Sequence, residues 1–234
     1  MLARYIDHTL LKPTAAHIEI EKICGQVVEY GFAAACVPPP FVALAHRLGV
    51  RTATVIGFPF GYSASPAKLA EAEQAIADGA DELDVVVNLI LLKDGKWAGL
   101  AAEMNGILDR THAAGKLLKV IIETGVLTDA EIVRCCRLYG EMGVDFVKTS
   151  TGYAERGATV EAVRLMRANL PEKVRIKASG GIRDARFALE LIAAGADRLG
   201  CSASVNIVRE DMEARRAALD GGAVAASGGR ADFY

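Results

Sequence analysis

Two lysines of this chain lie inside apolar, strand-like segments and could support amine chemistry. Lys148 is in GVDFVKTSTG at positions 143–152, and Lys177 is in VRIKASGG at positions 174–181. An ammonium group in a buried strand is destabilising unless something compensates its charge. Burial and a second cation nearby both favour the neutral amine, which can attack a carbonyl carbon and form a Schiff base. The pattern identifies Lys148 as a candidate nucleophile.

A carboxylate in a third segment completes the groups that imine chemistry needs. Asp84 lies in LDVVV at positions 83–87. It could exchange protons with a bound water or a carbinolamine hydroxyl, while the remaining ammonium acts as an acid. With Lys148, these residues predict a catalytic set that requires no metal and no organic cofactor. A second interpretation stays open, in which the three form a buried, charge-balanced network that only fixes strand register.

Lys119 and Glu123 lie at the two ends of another apolar segment, KVIIE. Their opposite charges allow a structural pair, and their place in a strand-like segment allows a role in the site. Both interpretations remain open at this point.

Small residues follow the Lys177 segment and the last strand-like segment. Gly180 and Gly181 come directly after VRIKAS, while Gly200 and Ser202 belong to RLGCS at positions 198–202. Backbone N–H groups and a hydroxyl can hold a phosphate, especially beside the N-terminus of a following helix. These four residues predict a phosphate site, with a pair of tight turns as the simpler alternative.

A short sequence motif recurs along the chain and indicates one repeated structural unit. ADGADEL, EMGVDFV and AAGADRL occupy positions 77–83, 141–147 and 193–199. Each follows a helix-like stretch and precedes a strand-like one, so Gly79, Gly143 and Gly195 are predicted to end helices in the left-handed conformation.

Eight short apolar segments are spaced widely enough for a helix between each pair, as in buried parallel sheets. We therefore predict the α/β class, as a single (β/α)8 TIM barrel, with an open doubly wound sheet as the alternative. In a barrel, Lys148 and Lys177 would lie on neighbouring strands, and catalytic groups would lie at the carboxyl ends of strands. The predicted strands are Tyr5–Leu10, Ala33–Val37, Ala53–Gly57, Glu82–Val87, Leu117–Glu123, Asp145–Ser150, Val174–Ser179 and Arg198–Ser202.

Two helix starts carry recognisable signals. Ser65 followed by Pro66 predicts an N-cap with proline in the first turn, in a helix that Gly79 closes. Thr128 with Glu131 matches a capping box and predicts a helix that ends near Gly143.

Length and composition limit the function classes. The 234 residues are 52% hydrophobic and 24% charged, and the net charge of −2 provides no basic field for nucleic acid or an anionic membrane. The N-terminal residues lack the apolar region of a signal peptide, so a cytoplasmic protein is expected. We predict one barrel domain over residues 1–220 and a flexible, Gly/Ala-rich tail over residues 221–234.

Cysteine and histidine give no sign of a metal centre. The five cysteines show no Cys-x-x-Cys spacing, and the four histidines are scattered. We interpret the cysteines as small buried core residues and predict no metal.

The chain ends in Tyr234 after a glycine-rich stretch. A mobile tail could place this phenol over the barrel mouth as a proton relay at an enamine carbon. An ordinary disordered end is the alternative.

Several longer segments resemble the deoxyribose-phosphate aldolase family, which contains class I, Schiff-base-forming aldolases with a (β/α)8 barrel. The resemblance covers nearly the whole chain, and the lysine strand with its Thr-Ser-Thr-Gly extension is highly specific. The segments are IDHTLL at 6–11, TVIGFP at 54–59, DELDVVVN at 81–88, KVIIET at 119–124, FVKTSTG at 146–152 and KASGGI at 177–182.

The resemblance implies a reaction and assigns roles. Lys148 would form the imine, Asp84 and Lys177 would transfer protons, and the substrate 2-deoxy-D-ribose 5-phosphate would be cleaved reversibly to D-glyceraldehyde 3-phosphate and acetaldehyde. Another Schiff-base barrel acting on a keto acid or ketose phosphate is one alternative, and a non-catalytic phosphosugar-binding barrel is another. Homo-oligomerisation is left open. The residues matching family positions around the phosphate are Gly152, Gly180, Gly181, Gly200 and Ser202.

Overall fold

Eight parallel strands form a closed barrel in the computed structural model, which describes residues 2–227 and the side chains of residues 2–219. Each strand pairs with its successor in sequence, and the last strand pairs with the first. This closure confirms the predicted (β/α)8 fold and rules out the open sheet. The strands are β1 (Ile6–Thr9), β2 (Ala34–Val37), β3 (Thr52–Ile56), β4 (Glu82–Val86), β5 (Leu117–Ile121), β6 (Phe146–Lys148), β7 (Arg175–Ser179) and β8 (Arg198–Cys201).

Helices separate the strands and form the outer layer. Within the described residues they are α1 (His17–Tyr30), α2 (Val42–Arg47), α3 (Ser65–Ala77), α4 (Leu89–Lys93), α5 (Trp97–Ala113), α6 (Asp129–Met142), α7 (Val160–Asn169), α8 (Ala185–Ala193) and α9 (Ser204–Ser227). Short 3₁₀ helices cover Leu2–Tyr5, Pro39–Phe41 and Thr124–Val126. None of the helices in this part of the chain has the length and apolar character needed to cross a membrane.

Most of the predicted helix boundaries agree with the structure. The backbone of Gly79, Gly143 and Gly195 has positive φ angles of 100°, 76° and 114°, as a left-handed helix end requires. Thr128 and Glu131 form the predicted capping box at the start of α6.

The prediction that Ser65 caps α3 is wrong by one residue. Ala64 occupies the N-cap and Ser65 is already helical, with Pro66 still in the first turn. The hydroxyl of Ser65 donates to Glu103 Oε2 at 2.9 Å, so it joins α3 to α5 instead of capping its own helix.

The barrel interior has an apolar sector and a charged sector. Strand residues alternate between the helix layer and the barrel axis, so Leu83 packs into the outer core while its neighbours Glu82 and Asp84 face inward. The inward side chains of β2 and β3 form a separate small apolar cluster of Ala34, Cys36, Ala53 and Val55. Charged groups fill much of the remaining interior, where barrels of this type usually have branched apolar residues.

The final helix, α9, extends to Ser227. The domain boundary predicted at residue 220 stays a prediction. Tyr234 lies outside the described residues, and its proposed relay role stays a prediction. The mobility of the segment 221–234 stays a prediction as well.

Candidate active site

Lys148, Lys177 and Asp84 meet inside the barrel. Lys148 Nζ and Lys177 Nζ each donate to Asp84 Oδ2, both at 2.7 Å. All three side chains are buried, and Lys148 keeps only 3% of its surface exposed. One carboxylate oxygen thus joins the two amines that the sequence singled out.

Strand register explains this meeting. Lys148 and Lys177 are direct partners across β6 and β7, so their inward side chains emerge at the same height. Asp84 reaches them across the barrel from β4. Its own register partner is Lys119 of β5.

Lys119 belongs to the same network. Its Nζ lies 2.7 Å from Asp84 Oδ1 and 2.6 Å from Glu82 Oε2. The ion pair considered for Lys119 and Glu123 is therefore replaced by pairs with the two acids of β4. The strand places Lys119 on the inward face and Glu123 beyond the end of β5.

Asp7 and Arg198 complete the charged sector. Asp7 Oδ2 lies 2.5 Å from Lys177 Nζ in an ion pair, and Asp7 Oδ1 accepts a hydrogen bond from Arg198 Nη1 at 2.6 Å. Arg198 Nη1 also lies 3.4 Å from Glu82 Oε2. These contacts join β1 and β8 to the acids of β4.

Burial and neighbouring charge lower the pKa of Lys148. Desolvation disfavours its ammonium most, and the charge of Lys177 adds to this effect, while Asp84 opposes it. The direction agrees with the reactive amine predicted from the sequence.

The pKa of Lys177 moves the other way. Burial disfavours its charge, but Asp7 and Asp84 outweigh that effect and hold the pKa well above the usual lysine value. Burial also disfavours the charged form of Asp84, yet Lys119, Lys148 and Lys177 hold its pKa well below the usual range. The unliganded site therefore contains a charged Lys177 and an ionised Asp84.

A cavity of about 480 Å³ opens above Lys148. Its wall contains every residue predicted to surround a phosphate: Gly152, Gly180, Gly181, Gly200 and Ser202. Two cationic residues, Lys12 and Arg183, also line it and were not singled out from the sequence. The catalytic and phosphate candidates therefore share one space.

Close backbone approach explains the glycines after β6 and β7. A Cβ on Gly180 would lie 3.1 Å from Gly157 Cα and 3.4 Å from Gly152 Cα, and φ at Gly180 is +86°. A Cβ on Gly157 would overlap the carbonyl oxygen of Gly180. The two loops can touch only because neither carries a side chain there.

Glu123 supports the loop that follows Lys148. Its carboxylate accepts from the backbone N–H of Thr151, with donor–acceptor distances of 3.3 and 3.2 Å to its two oxygens, and from the Thr151 hydroxyl. Thr151 Oγ1 in turn accepts from Tyr153 N at 3.1 Å. Burial raises the pKa of Glu123, although these hydrogen bonds oppose the rise.

The family of the chain follows from comparison with known proteins. A family model described as DeoC/LacD family aldolase matches residues 1–221. The chain belongs to this aldolase family. A deoxyribose-phosphate aldolase from Thermoanaerobacter sp. strain X514 is 47% identical over 214 residues, which covers 89% of this chain and 96% of that protein.

Solved structures of aldolases share the fold. An aldolase designated QR15 superposes with a TM-score of 0.87 at 41% identity, covering 91% of this chain and 96% of the other. A deoxyribose phosphate aldolase from Aeropyrum pernix, described as a unique tetrameric structure, has a TM-score of 0.83 at 34% identity and 89% coverage of both chains. The resemblance read from the sequence is confirmed, as is the barrel.

Three charged residues of this DeoC/LacD aldolase escaped the sequence analysis. Asp7, Glu82 and Arg198 all lie within predicted strands, and Glu82 is two residues from Asp84 on the same strand face. The period-two alternation of a strand was the signal that could have identified Glu82. The catalytic and phosphate-binding roles assigned from the sequence remain predictions.

Proposed function

We propose that this chain catalyses the reversible cleavage of 2-deoxy-D-ribose 5-phosphate to D-glyceraldehyde 3-phosphate and acetaldehyde, through a Schiff base on Lys148. The observation that carries the proposal is the position of Lys148: its amine contacts Asp84 and borders the cavity that contains the glycine loops. The name of the Thermoanaerobacter relative supports the same reaction.

Imine formation uses the neutral amine that burial favours. Lys148 Nζ attacks the aldehyde carbon of the open-chain sugar, and the carbinolamine then loses water. Overall, a neutral amine and an aldehyde take up one proton to form the protonated imine and one water. Asp84, bonded to both Lys148 and Lys177, is placed to pass a proton between the amines and the hydroxyl that leaves.

Carbon–carbon cleavage follows from the charge on the imine. Removal of the proton from the C3 hydroxyl lets the C2–C3 bond break, and its electron pair moves toward the iminium nitrogen. D-Glyceraldehyde 3-phosphate leaves, and an enamine remains on Lys148. Protonation of the enamine carbon and hydrolysis release acetaldehyde and the free amine, and no metal or organic cofactor is part of the proposal.

The phosphate would occupy the loops after β6, β7 and β8. Gly152, Gly180, Gly181, Gly200 and Ser202 line the same cavity as Lys148, and Arg183 supplies positive charge on its wall. Backbone N–H groups of glycine loops bind phosphate oxygens closely because no Cβ intervenes. The loops thus hold one end of the sugar while Lys148 reacts with the other.

Borohydride trapping tests the reaction and its site together. With acetaldehyde and borohydride, the protein is expected to gain one ethyl group on Lys148, found by peptide mass spectrometry. Lys148→Met should lose both the label and the cleavage activity, whereas Lys173→Met, a change at an exposed lysine, should keep both. An ethyl group on another lysine, or labelling that survives in Lys148→Met, would contradict the assignment.

The same assay separates the alternative functions. Trapping by pyruvate or dihydroxyacetone phosphate in preference to acetaldehyde would indicate a different Schiff-base aldolase. Binding of the phosphosugar without trapping or cleavage would indicate a non-catalytic barrel.

The proposal extends to the assembly of the chain and to its cellular compartment. The Aeropyrum pernix protein is described as a tetramer, which supports homo-oligomerisation of this chain. The number of subunits that this chain assembles is not part of the proposal. The cytoplasm is the proposed compartment.

A further inference from the structure

We propose that a closed ring of six buried charges beneath Lys148 keeps its amine uncharged, and that Arg198 and Glu82 act in this ring as positioning residues. The inference deepens the role of Lys148 under the proposed function and rests on that role. Neither Arg198 nor Glu82 lines the cavity above Lys148. Their effect would reach the amine through other side chains.

The first half of the ring lies next to Lys148. Asp7 contacts Lys177 at 2.5 Å, Lys177 contacts Asp84 Oδ2 at 2.7 Å, and Lys119 contacts Asp84 Oδ1 at 2.7 Å. Lys148 is attached to this half from outside the ring, through the oxygen that Lys177 already shares.

The second half closes the ring on the far side of the barrel. Lys119 contacts Glu82 Oε2 at 2.6 Å, Arg198 lies 3.4 Å from the same oxygen, and Arg198 contacts Asp7 Oδ1 at 2.6 Å. Acid and base therefore alternate around the whole circuit. Its members are Asp7, Lys177, Asp84, Lys119, Glu82 and Arg198.

The balance of acids and bases in the ring decides whether Lys148 can keep a proton. The ring holds three acids and three bases, and all but Arg198 are fully enclosed. A buried network of equal opposite charges is tolerated, whereas an unbalanced buried charge is strongly destabilising. A protonated Lys148 would be a fourth cation without a fourth acid in the ring. Loss of its proton restores the balance and leaves a lone pair free to react.

The other groups around Lys148 do not supply the missing anion within the ring. Cys36 faces it from β2, and burial raises the pKa of this thiol, which keeps it neutral near pH 7. Glu123, beyond β5, is bonded to Thr151, and its contribution stays constant when ring residues change. Arg51 contacts Glu82 Oε1 at 2.8 Å, but its side chain is 54% exposed and is screened by water.

An aromatic ring supports the cationic members from below. Arg198 Cζ lies 5.6 Å and Lys119 Nζ 6.0 Å from the centroid of Phe146, two residues before Lys148. Arg175 Cζ lies 4.0 Å from the same centroid. The face of Phe146 attracts cations without adding an anion, so it stabilises the bases of the ring without altering the charge count.

Charge changes of opposite sign test the inference. Arg198→Gln leaves the ring with one excess negative charge, which favours the ammonium of Lys148. Glu82→Gln leaves one excess positive charge, which favours the neutral amine. The double variant, Arg198→Gln with Glu82→Gln, again has equal numbers of acids and bases in the ring. Arg198→Lys keeps the positive charge at position 198.

The direct readout is the pH dependence of Lys148 acetylation by trace acetic anhydride, measured by peptide mass spectrometry. Arg198→Gln should raise the pH at which acetylation of Lys148 is half-maximal, here called the half-point, by about one unit, and Glu82→Gln should lower it. A shift of this size is expected from one charge in a protein interior. The acid limb of kcat/KM should move with the half-point, giving Arg198→Gln a roughly tenfold loss below the half-point. Arg198→Lys and the double variant should return toward the wild-type half-point.

A purely structural ring predicts a different result. Both single changes would then lower activity without opposite pH shifts, and the double variant would be worse than either; that result would overturn the inference. A wild-type Lys148 that titrates as an ordinary lysine would overturn it as well, even if no variant folds.

Acetylation does not depend on aldolase activity, so the two proposals can fail separately. Opposite shifts without ethylation by acetaldehyde and borohydride would support the ring and reject the aldolase proposal. Ethylation of Lys148 without opposite shifts would support the aldolase proposal and reject the role of the ring.

Discussion

Lys148 and Lys177 are the same amino acid on neighbouring strands, yet the structure moves their pKa values in opposite directions. Lys177 contacts Asp7 and Asp84, whereas the one acid that Lys148 contacts among the described side chains is Asp84, through the oxygen that Lys177 shares. Burial acts on both amines, so the difference in anionic partners decides which one loses its proton first. The reactivity assigned to Lys148 thus depends on its position at the edge of the charged network.

Glu123 is the other residue whose local geometry demands an explanation. Its φ of +60° makes it the one non-glycine residue with positive φ in the part of the chain that the structure describes. An L-residue in this region is strained by about 1–2 kcal/mol. The Glu123 side chain anchors Thr151 in the loop that follows β6, the strand that ends at Lys148.

Two substitutions separate the strain from the anchor. Glu123→Gly and Glu123→Ala both remove the carboxylate, but only glycine accepts φ of +60° without a Cβ penalty. Glu123→Gly is therefore expected to unfold with a free energy about 1 kcal/mol higher than that of Glu123→Ala. Urea denaturation of both variants measures the difference. Equal stabilities would show that the backbone at this position is not strained.

At the scale of elements, the loops after β6 and β7 decide how a phosphorylated substrate could be held. They touch at Gly157 and Gly180, where the space admits no side chain. The helices that follow start independently: Thr159 caps α7 and Asp184 caps α8 through side-chain bonds to backbone N–H groups. Because these caps fix where the two helices start, the contact between Gly157 and Gly180 affects the position of the loops and not the helix starts.

Gly157→Ala tests the function of this contact. The new Cβ would push the carbonyl of Gly180 away, so the KM for the phosphosugar should rise roughly tenfold, the equivalent of about 1.4 kcal/mol of binding. Trapping of acetaldehyde alone on Lys148 should be unchanged, because that reaction needs no phosphate site. Gly106→Ala in α5, where a Cβ meets nothing within 4 Å, is the matched control. Loss of acetaldehyde trapping in Gly157→Ala would mean that the loop contact also positions Lys148.

At the scale of the whole molecule, the charged interior links stability to pH. Burial by itself raises the pKa of Asp7, but Lys177, Arg198 and Lys119 lower it overall, from 3.8 to about 2. A carboxyl with a lowered pKa stabilises the fold fully above its unfolded value and loses that contribution as pH falls through the folded value. For Asp7 the shift corresponds to about 2 kcal/mol. Asp84, whose pKa is also lowered, acts in the same direction.

Stability is therefore expected to fall steeply between about pH 4 and pH 2. Urea midpoints measured at successive pH values across this range would show the loss. Asp7→Asn should flatten the dependence, and Asp94→Asn, which removes an exposed carboxylate outside the ring, should leave it unchanged. An Asp7→Asn profile parallel to the wild-type profile would contradict the linkage.

The sequence by itself determined the periodic features of this protein. Apolar strands, glycine helix ends and the Thr128 capping box depend on residues close together in the chain, and they predicted eight βα units. The same local patterns identified Lys148, Lys177 and Asp84, because a charge in an apolar strand is conspicuous wherever that strand lies.

Only the tertiary structure decided which charges face each other. Asp7 and Arg198 are 191 residues apart, and they meet because β8 closes on β1. Lys119 joins Asp84 and Glu82 instead of Glu123 because strand register places their side chains at compatible heights inside the barrel. Alternation along a strand tells which side chains point inward, whereas barrel closure and register determine their partners.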